Sequence, residues 1–257
     1  MPAQPPAYPD VVTPDEWIGA RTKLLARERE ATHLRDAVNA ERRRLPMVRV
    51  EKDYVFDGPD GVVTLLDMFE GRSQLYIHHF MWVDAVDAGC PSCTAAADLT
   101  FTEEDRKLLH GKGVTFACVS RAPYTSIARY RDQHGWTFPW YSSHDGDFTY
   151  DFHVTLDPAR APIEYNYKAL DELYADGWTD DDLRGDWPGA SVFLRRGEEV
   201  ALRARRQGEQ LAERLGQRVA DRHPTADRHH DDAQLLRRPS PFARHVDRAH
   251  VQHALLD

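Results

Sequence analysis

The feature that most constrains the fold of this chain is a pair of cysteines separated by two residues, Cys90-Pro91-Ser92-Cys93. The pair lies between two patterns of different period. Residues 74–82 form a continuous apolar and aromatic run that predicts a buried strand, whereas residues 94–110 have the spacing of a helix. Gly89 allows a sharp turn just before the pair. We therefore expect a strand, a loop and a helix whose first turn carries both cysteines.

Strand and helix patterns alternate along the rest of the chain. Gly58-Pro59-Asp60-Gly61 predicts a tight turn between two short strands. The remaining predictions are strands at 52–57, 62–64, 114–120, 138–141, 148–154 and 190–195, helices at 65–69 and 123–134, and an irregular or partly helical stretch at 171–183. Such alternation implies an α/β sandwich, and a Cys-x-x-Cys pair in a strand-helix-strand unit is typical of thioredoxin-like proteins. The predicted fold class is α/β: a thioredoxin-like three-layer sandwich with an N-terminal helical extension and a divergent C-terminal tail.

Residues 13–44 are predicted to form one long amphipathic helix, so that residues 1–46 make a helical arm. Thr13, Pro14 and Glu16 resemble an N-cap, a first-turn proline and the acid of a capping box. An apolar position recurs every seven residues, at Trp17, Leu24, Ala31 and Val38. We expect this helix to pack on the main domain, the more common arrangement, or on a second copy of the chain in a homodimer.

Composition and charge limit the classes of function. The net charge is −9, with −12 on residues 1–200 and +3 on residues 201–257, which argues against nucleic acid as the main partner. No apolar run approaches the roughly 20 residues of a membrane span, and the proline-rich start lacks the layout of a signal peptide. We expect a cytoplasmic protein without a membrane partner. In that reducing compartment, a close cysteine pair is more often catalytic or metal-binding than a structural disulfide.

The cysteine pair has the spacing that thiol–disulfide exchange requires. A helix N-terminus favours a thiolate at Cys90, through the helix dipole and free backbone N–H groups. Cys93 lies three residues on, on the same helix face, and can resolve a mixed disulfide. Pro91 fixes the first helical φ, and Ser92 can place a hydroxyl near the sulfur. These residues predict Cys90 as the nucleophile and Cys93 as the resolving thiol.

Metal binding is the main competing interpretation of the pair. A structural zinc site needs four ligands, and the only other cysteine, Cys118, lies in a predicted strand as a small buried hydrophobe. A soft ion such as Cu(I) could use the cysteines with His79 or His153. Thr94, not histidine, follows the pair, so covalent haem attachment is not indicated and no cofactor is expected.

Two further features have a functional and a structural interpretation. Seven aromatic residues crowd the stretch 136–152, where core packing is favoured over a hydrophobic substrate groove. Arg121 ends a predicted strand and could stabilise a thiolate or bind an anion, although an ordinary ion pair is at least as common an arrangement.

The chain resembles a bacterial thioredoxin-like family known as domain of unknown function 899. The resemblance covers about residues 13 to 200. Its landmarks are Glu16-Trp17, Lys23-Leu24-Leu25, Arg43-Arg44-Leu45-Pro46, Asp53-Tyr54-Val55-Phe56, Gln74-Leu75, His79-Phe80-Met81, Gly89-Cys90-Pro91-Ser92-Cys93, Ser120-Arg121-Ala122-Pro123, Gly135-Trp136-Thr137-Phe138-Pro139-Trp140, Asp147-Phe148, Tyr150-Asp151-Phe152-His153 and Ser191-Val192-Phe193.

The resemblance implies a thioredoxin fold related to those of thioredoxins and peroxiredoxins. It also implies a cis-proline opposite the cysteines, for which Pro188 is the candidate. Relatives continue after the Ser-Val-Phe strand with a Tyr-rich hairpin, whereas no tyrosine follows Tyr174 here. We therefore expect domains at 1–46, 47–200 and 201–257. The last is a divergent tail that is weakly ordered apart from a helix at 202–219. A frameshift in the gene would explain why this tail replaces the Tyr-rich hairpin.

Three functions are consistent with these observations. The first is a thiol–disulfide oxidoreductase acting on an unidentified disulfide substrate or thiol reductant, with peroxide reduction ranked lower because no upstream threonine of the peroxiredoxin pattern is present. The second is a soft-metal-binding protein that uses the cysteine pair. The third is a non-catalytic interaction module with the N-terminal helix as its docking element.

Overall fold

The computed structural model describes residues 10–207 and shows a mixed α/β protein. Its helices are α1 (Pro14–Arg44), α2 (Pro91–Thr100), α3 (Glu103–Gly111), α4 (Tyr124–His134), α5 (Phe148–Asp151) and α6 (Leu170–Ala175). Its strands are β1 (Val48–Arg49), β2 (Val55–Gly58), β3 (Gly61–Thr64), β4 (Gln74–His79), β5 (Trp82–Val83), β6 (Ala88–Gly89), β7 (Val114–Ser120), β8 (Trp140–Ser142), β9 (Thr155–Leu156), β10 (Glu164–Tyr165), β11 (Lys168–Ala169), β12 (Gly185–Asp186), β13 (Gly189–Arg196) and β14 (Glu199–Gln207).

Eight of these strands form one sheet in the order β1-β14-β13-β4-β7-β8-β2-β3. Strands β4 and β7 are parallel and are joined through α2 and α3, and β7 and β8 are also parallel. On the other side of β4 the hairpin β13–β14 runs antiparallel. A parallel strand-helix-strand unit, flanked by an antiparallel hairpin and carrying Cys-x-x-Cys at the start of its helix, is a thioredoxin-like arrangement, as predicted.

The two faces of this sheet bury separate clusters of apolar side chains, because successive residues of a strand point to opposite faces. Leu75 and Ile77 of β4 pack with the rings of Phe148 and Phe152 on one face. Phe80 and the neighbouring β7 residues Phe116 and Cys118 pack with Cys90, Cys93, Phe138 and Trp140 on the other. The face that holds the cysteines is therefore rich in aromatic residues, and the buried Phe138 and Trp140 serve as core, as expected.

The N-terminal helix begins where the sequence predicts. Thr13 caps α1, and its backbone N–H donates to Glu16 Oε2 (2.9 Å), which closes the capping box. None of the side chains of α1 is buried, and large apolar side chains are exposed along it, including Trp17, Leu24 and Leu34. The chain divides into two compact units, Met1–Pro46 and Met47–Asp257.

Two local predictions were wrong. The helix expected at 94–110 is two helices, α2 and α3, because Thr102 leaves the helix and caps α3, with its hydroxyl accepting from the Asp105 backbone N–H. The strand expected at 148–154 is the short helix α5. Phe148 and Phe152 are both buried and their ring centroids lie 4.7 Å apart, so the spacing i, i+4 decides the structure there.

The expected boundary at residue 200 falls inside a strand. Residues 202–207 were predicted to start a helix, but they belong to β14, which pairs with both β13 and β1. Gln207 at its end is buried, and its side chain donates to the carbonyls of Phe152 and His153 and accepts from the Asn166 backbone N–H. The sheet is therefore complete through Gln207. The predictions for residues 208–257 lie outside the described residues.

Residues 155–187 form a small satellite beside the sheet. Strands β9 and β12 pair with each other, and Tyr165, Trp178 and Trp187 pack in a third apolar cluster around Leu173. Between residues 10 and 207, no helix is both long enough and apolar enough to cross a membrane.

Candidate active site

Cys90 lies at the carboxyl end of β4, where the sheet gives way to the helix α2. After β4 the chain forms the short hairpin β5–β6, and the Cys90 backbone N–H donates to the Met81 carbonyl over 3.0 Å. Cys90 is the N-cap residue of α2 and Pro91 is the first residue of that helix. The Cys90 carbonyl accepts from the Thr94 backbone N–H and hydroxyl, so the Cys90 backbone is anchored on both sides.

Gly89 is required by the close approach of two rings. A Cβ at this position would lie 2.7 Å from the Phe80 ring and 2.9 Å from the Tyr130 ring. Gly89 itself is buried, at the end of the hairpin that leads to Cys90. The sequence suggested a glycine turn here, whereas the structure shows that lack of space is the reason for the glycine.

Hydrogen bonds to its sulfur make Cys90 acidic. A hydrogen bond from Cys93 is the largest effect, and the Ser92 hydroxyl and the backbone N–H groups of both residues add to it, against the opposing effect of burial. Together they lower the pKa of Cys90 to about 6. Cys90 Sγ lies 3.1 Å from Ser92 Oγ. At neutral pH the sulfur is therefore mostly thiolate, the form that attacks disulfides.

The other two cysteines are held in the thiol form. Cys93 is only 4% exposed, and both its hydrogen bond to Cys90 and its burial raise its pKa. Cys118 is fully buried in β7, which also raises its pKa and agrees with its interpretation as a core residue. All three cysteines are free thiols in this structure. The pair thus combines one activated and partly accessible sulfur with one protected sulfur.

Sequence reasoning missed a hydroxyl pair that links Cys90 to the neighbouring helix α4. The Tyr130 hydroxyl lies 2.8 Å from Thr94 Oγ1, and Thr94 Oγ1 donates to the Cys90 carbonyl. The Tyr130 ring also packs edge-on against Trp82. Thr94 and Tyr130 are 36 residues apart, and no local pattern indicates that they meet.

Arg121 lies at the same edge of the sheet, directly after β7, and it is engaged by two carboxylates. Its Nε donates to Asp186 Oδ1 (3.0 Å) and its Nη2 donates to Asp84 Oδ2 (2.6 Å). Asp84 belongs to the loop before Cys90, and Asp186 lies two residues before Pro188. Of the roles predicted for Arg121, the structure shows the ion pair.

Pro188, the candidate for a cis-proline, has a trans peptide bond. It directly precedes β13, and Gly189 at the start of β13 is in register with His79 at the end of β4. Pro188 is therefore at the edge of the sheet that also carries the cysteine loop. Between residues 10 and 207 no peptide bond is cis, so the expected cis conformation is absent.

The histidines considered as metal ligands lie apart from the cysteines. His79 packs on Phe148 and Phe152, on the face of the sheet opposite the cysteine cluster, and it hydrogen-bonds Ser191 Oγ over 2.8 Å. His153 lies beside α5, which belongs to that opposite face. Within residues 10–207, no three or more His, Cys, Asp or Glu side chains are grouped as a metal site would require.

The fold and the cysteine pair together define a thioredoxin-like protein. The sheet has the thioredoxin-like strand arrangement, and the first turn of the helix after β4 carries Cys90 and Cys93. Residues 6–211 match the sequence profile of the bacterial proteins of unknown function called DUF899. This chain belongs to that family. No curated protein matches the chain.

Several solved structures are similar at low identity. The bacterioferritin comigratory protein of Xanthomonas campestris, studied for alkyl peroxide reduction, is 14% identical, with a TM-score of 0.42 over 65% of this chain and 88% of that chain. A putative thiol:disulfide interchange protein DsbE from Chlorobium tepidum is 14% identical, with a TM-score of 0.40 over 69% and 97%. Peroxidoxin BcpB from Mycobacterium tuberculosis is 13% identical, with a TM-score of 0.39 over 63% and 80%.

Proposed function

We propose that this protein is a thiol–disulfide oxidoreductase in which Cys90 attacks and Cys93 resolves. The observation that carries the proposal is the asymmetry of the pair: the Cys90 pKa is lowered to about 6 at the start of α2, whereas the buried Cys93 remains a thiol. Such an asymmetry gives one sulfur the role of nucleophile and leaves the other in reserve.

In the proposed reaction, the Cys90 thiolate attacks one sulfur of a substrate disulfide. A Cys90–substrate disulfide forms, the substrate S–S bond breaks, and the second substrate sulfur leaves as a thiolate. Cys93 then loses its proton to solvent or to the leaving thiolate and attacks Cys90 Sγ. The Cys90–Cys93 disulfide forms, the first substrate sulfur leaves, and the substrate has gained two electrons. A dithiol donor returns the pair to its reduced form.

The test uses an aromatic disulfide that releases a coloured thiolate. With the reduced full-length protein we expect release of both thiolates and a Cys90–Cys93 disulfide by mass spectrometry. The Cys93→Ser variant should stop at a stable adduct on Cys90, and Cys90→Ser should lose the fast reaction. The matched control is Cys118→Ser, which keeps both thiols of the pair. An adduct on Cys93, or equal rates for Cys90→Ser and the wild type, would refute the assignment.

A further inference from the structure

The longest helix among the described residues, α1, exposes apolar side chains along one side. Over the 31 residues of α1 no side chain is buried. Trp17 is 59% exposed, Leu24 49%, Leu34 67% and Val38 36%. These four residues lie on one side of the helix, because they occupy positions a and d of a heptad in which Trp17, Leu24, Ala31 and Val38 are a. We call this set the α1 stripe.

The charges at the two ends of α1 are opposite. The first turn carries Asp15 and Glu16, and the last turn carries Arg42, Arg43 and Arg44. This distribution is favourable within a single helix, because it complements the helix dipole. It also makes one end of the helix complementary to the other end of an identical helix that runs antiparallel.

We propose that α1 pairs with α1 of a second copy of this chain in an antiparallel two-helix coiled coil centred on Arg29. This register sets Asp15 level with the partner's Arg43 and Glu16 level with the partner's Arg42. A parallel pair would instead place the acidic turns together and the arginine-rich turns together, and like charges in contact oppose association.

The same register brings apolar residues together along the stripe. Each a position faces a d position of the second helix, as knobs-into-holes packing requires. Leu24 then faces the partner's Leu34, and Val38 faces the partner's Ala20, and each of these pairs occurs twice by symmetry. The other two d positions carry charge: Arg27 faces the partner's Ala31, whose small side chain leaves space for the arginine stem to reach water, and Glu41 faces the partner's Trp17 near the ends of the pair. The charges of the ends and the apolar positions of the middle thus select one register.

The first test measures association of the full-length protein by sedimentation velocity over a range of concentrations. We expect a reversible dimer. The Leu24→Glu/Leu34→Glu variant should weaken it by about tenfold or more, since it removes the leucine pair that occurs twice in the interface and places carboxylates opposite each other. The matched control Ala26→Glu, on the opposite side of α1, should leave it unchanged. Circular dichroism reports whether each variant keeps its helix. A wild type that is monomeric at every concentration, as expected if the stripe covers its own domain, overturns the proposal.

The second test determines the direction of pairing. The three native cysteines are replaced by serine, and a spin label is attached to a cysteine introduced at Arg29 or at Ala40. In the antiparallel register, two labels at residue 29 lie level with each other. Residue 40 lies level with residue 18 of the second helix, which is 22 residues from the second label, so two labels at residue 40 lie about 33 Å apart along the axis. Short distances at both positions would show a parallel pair and overturn the proposed register. Both tests are independent of the thiol chemistry.

Discussion

Arg121 and the buried Asp186 join the end of β7 to strand β12. Asp186 Oδ1 accepts from Arg121 Nε over 3.0 Å and from the Thr155 hydroxyl over 2.8 Å. Burial raises the pKa of Asp186, against the opposing effects of the Arg121 charge and the Thr155 hydrogen bond. Arg121 also holds Asp84, in the loop before Cys90. One guanidinium thus connects the Cys90 loop to the strand that leads to Pro188.

We predict that Arg121→Gln destabilises the protein by about 3 kcal/mol or more, because it leaves the Asp186 carboxylate buried without a cation. The Arg121→Gln/Asp186→Asn double variant should recover part of that loss, since both charges are then absent. The control is Arg129→Gln, which breaks the exposed pair with Asp87 on the same loop and should cost far less, because water screens that pair. Urea unfolding of the four proteins checks this. Equal losses for the two single variants would show that Arg121 is an ordinary surface partner.

The hydrogen bonds to Cys90 predict how its reactivity depends on pH. Because Cys93 is the largest cause of the lowered pKa, Cys93→Ala should raise the Cys90 pKa further than Cys93→Ser, whose hydroxyl can still donate. Ser92→Ala should also raise it, by a smaller amount. The measurement is the rate of Cys90 alkylation against pH, in a Cys118→Ser background. Identical midpoints for all these variants would mean that the helix start alone sets the pKa.

The folded protein should also gain stability with pH through Cys90. Its folded pKa of about 6 lies below the ordinary thiol value, so the unfolded chain binds more protons between about pH 6 and pH 8.5. The Cys90 contribution is therefore complete above pH 8.5 and is lost as pH falls through 6. In thermal unfolding under reducing conditions, Cys90→Ser should remove this slope, whereas Cys118→Ser should retain it.

Two buried histidines predict sensitivity to acid. Burial lowers the pKa of His78 to about 4, and both of its ring nitrogens are buried without a hydrogen-bond partner. Burial likewise lowers the pKa of His79 to about 3. The unfolded chain binds protons at these positions below about pH 6.5 and the folded chain does not, so stability falls as pH drops.

The expected loss between pH 7 and pH 5 is about 2 kcal/mol for each histidine. His78→Phe removes a titrating group and two unpartnered nitrogens from an aromatic environment beside Phe80 and Phe101. It should therefore remove about 2 kcal/mol of the stability loss between pH 7 and pH 5. Guanidinium unfolding at the two pH values measures the difference. A His78→Phe protein with the full wild-type slope would contradict the assignment.

The sequence predicted those elements that are determined by local signals. The α1 cap, the β2–β3 turn and the uninterrupted β7 run each carry their information within a few residues. Strand β14 was not predicted, because its alternating arginines gain their partners from distant segments: Arg205 pairs with Glu164 and lies over the Tyr167 ring. The strand conformation of β14 likewise depends on its pairing with β1 and β13 rather than on its own composition.

The candidate site shows the same division. Cys90, Pro91, Ser92 and Cys93 are contiguous, so the motif alone predicted that both cysteines lie at the start of a helix. The contacts of Arg121 join residues that are 37 and 65 positions away. The Thr94–Tyr130 pair likewise bridges two helices. Side chains brought together by tertiary packing leave no periodic signal in a single sequence, which is why these supports emerged only from the structure.

Gly89 offers a test of how closely the chain is packed next to Cys90. Gly89→Ala would place a methyl group against the Phe80 and Tyr130 rings, at 2.7 Å and 2.9 Å from their nearest atoms, so something must move. We expect a loss of about 1–3 kcal/mol in unfolding free energy, as for overpacked cores. Because the displaced Tyr130 also holds Thr94, which donates to the Cys90 carbonyl, the rate of Cys90 alkylation should change as well. The control is Gly111→Ala, where the added methyl group meets nothing within 4 Å at the end of α3 and should be neutral or stabilising. If Gly89→Ala matches Gly111→Ala in both stability and alkylation rate, the packing of Gly89 does not hold Cys90 in place.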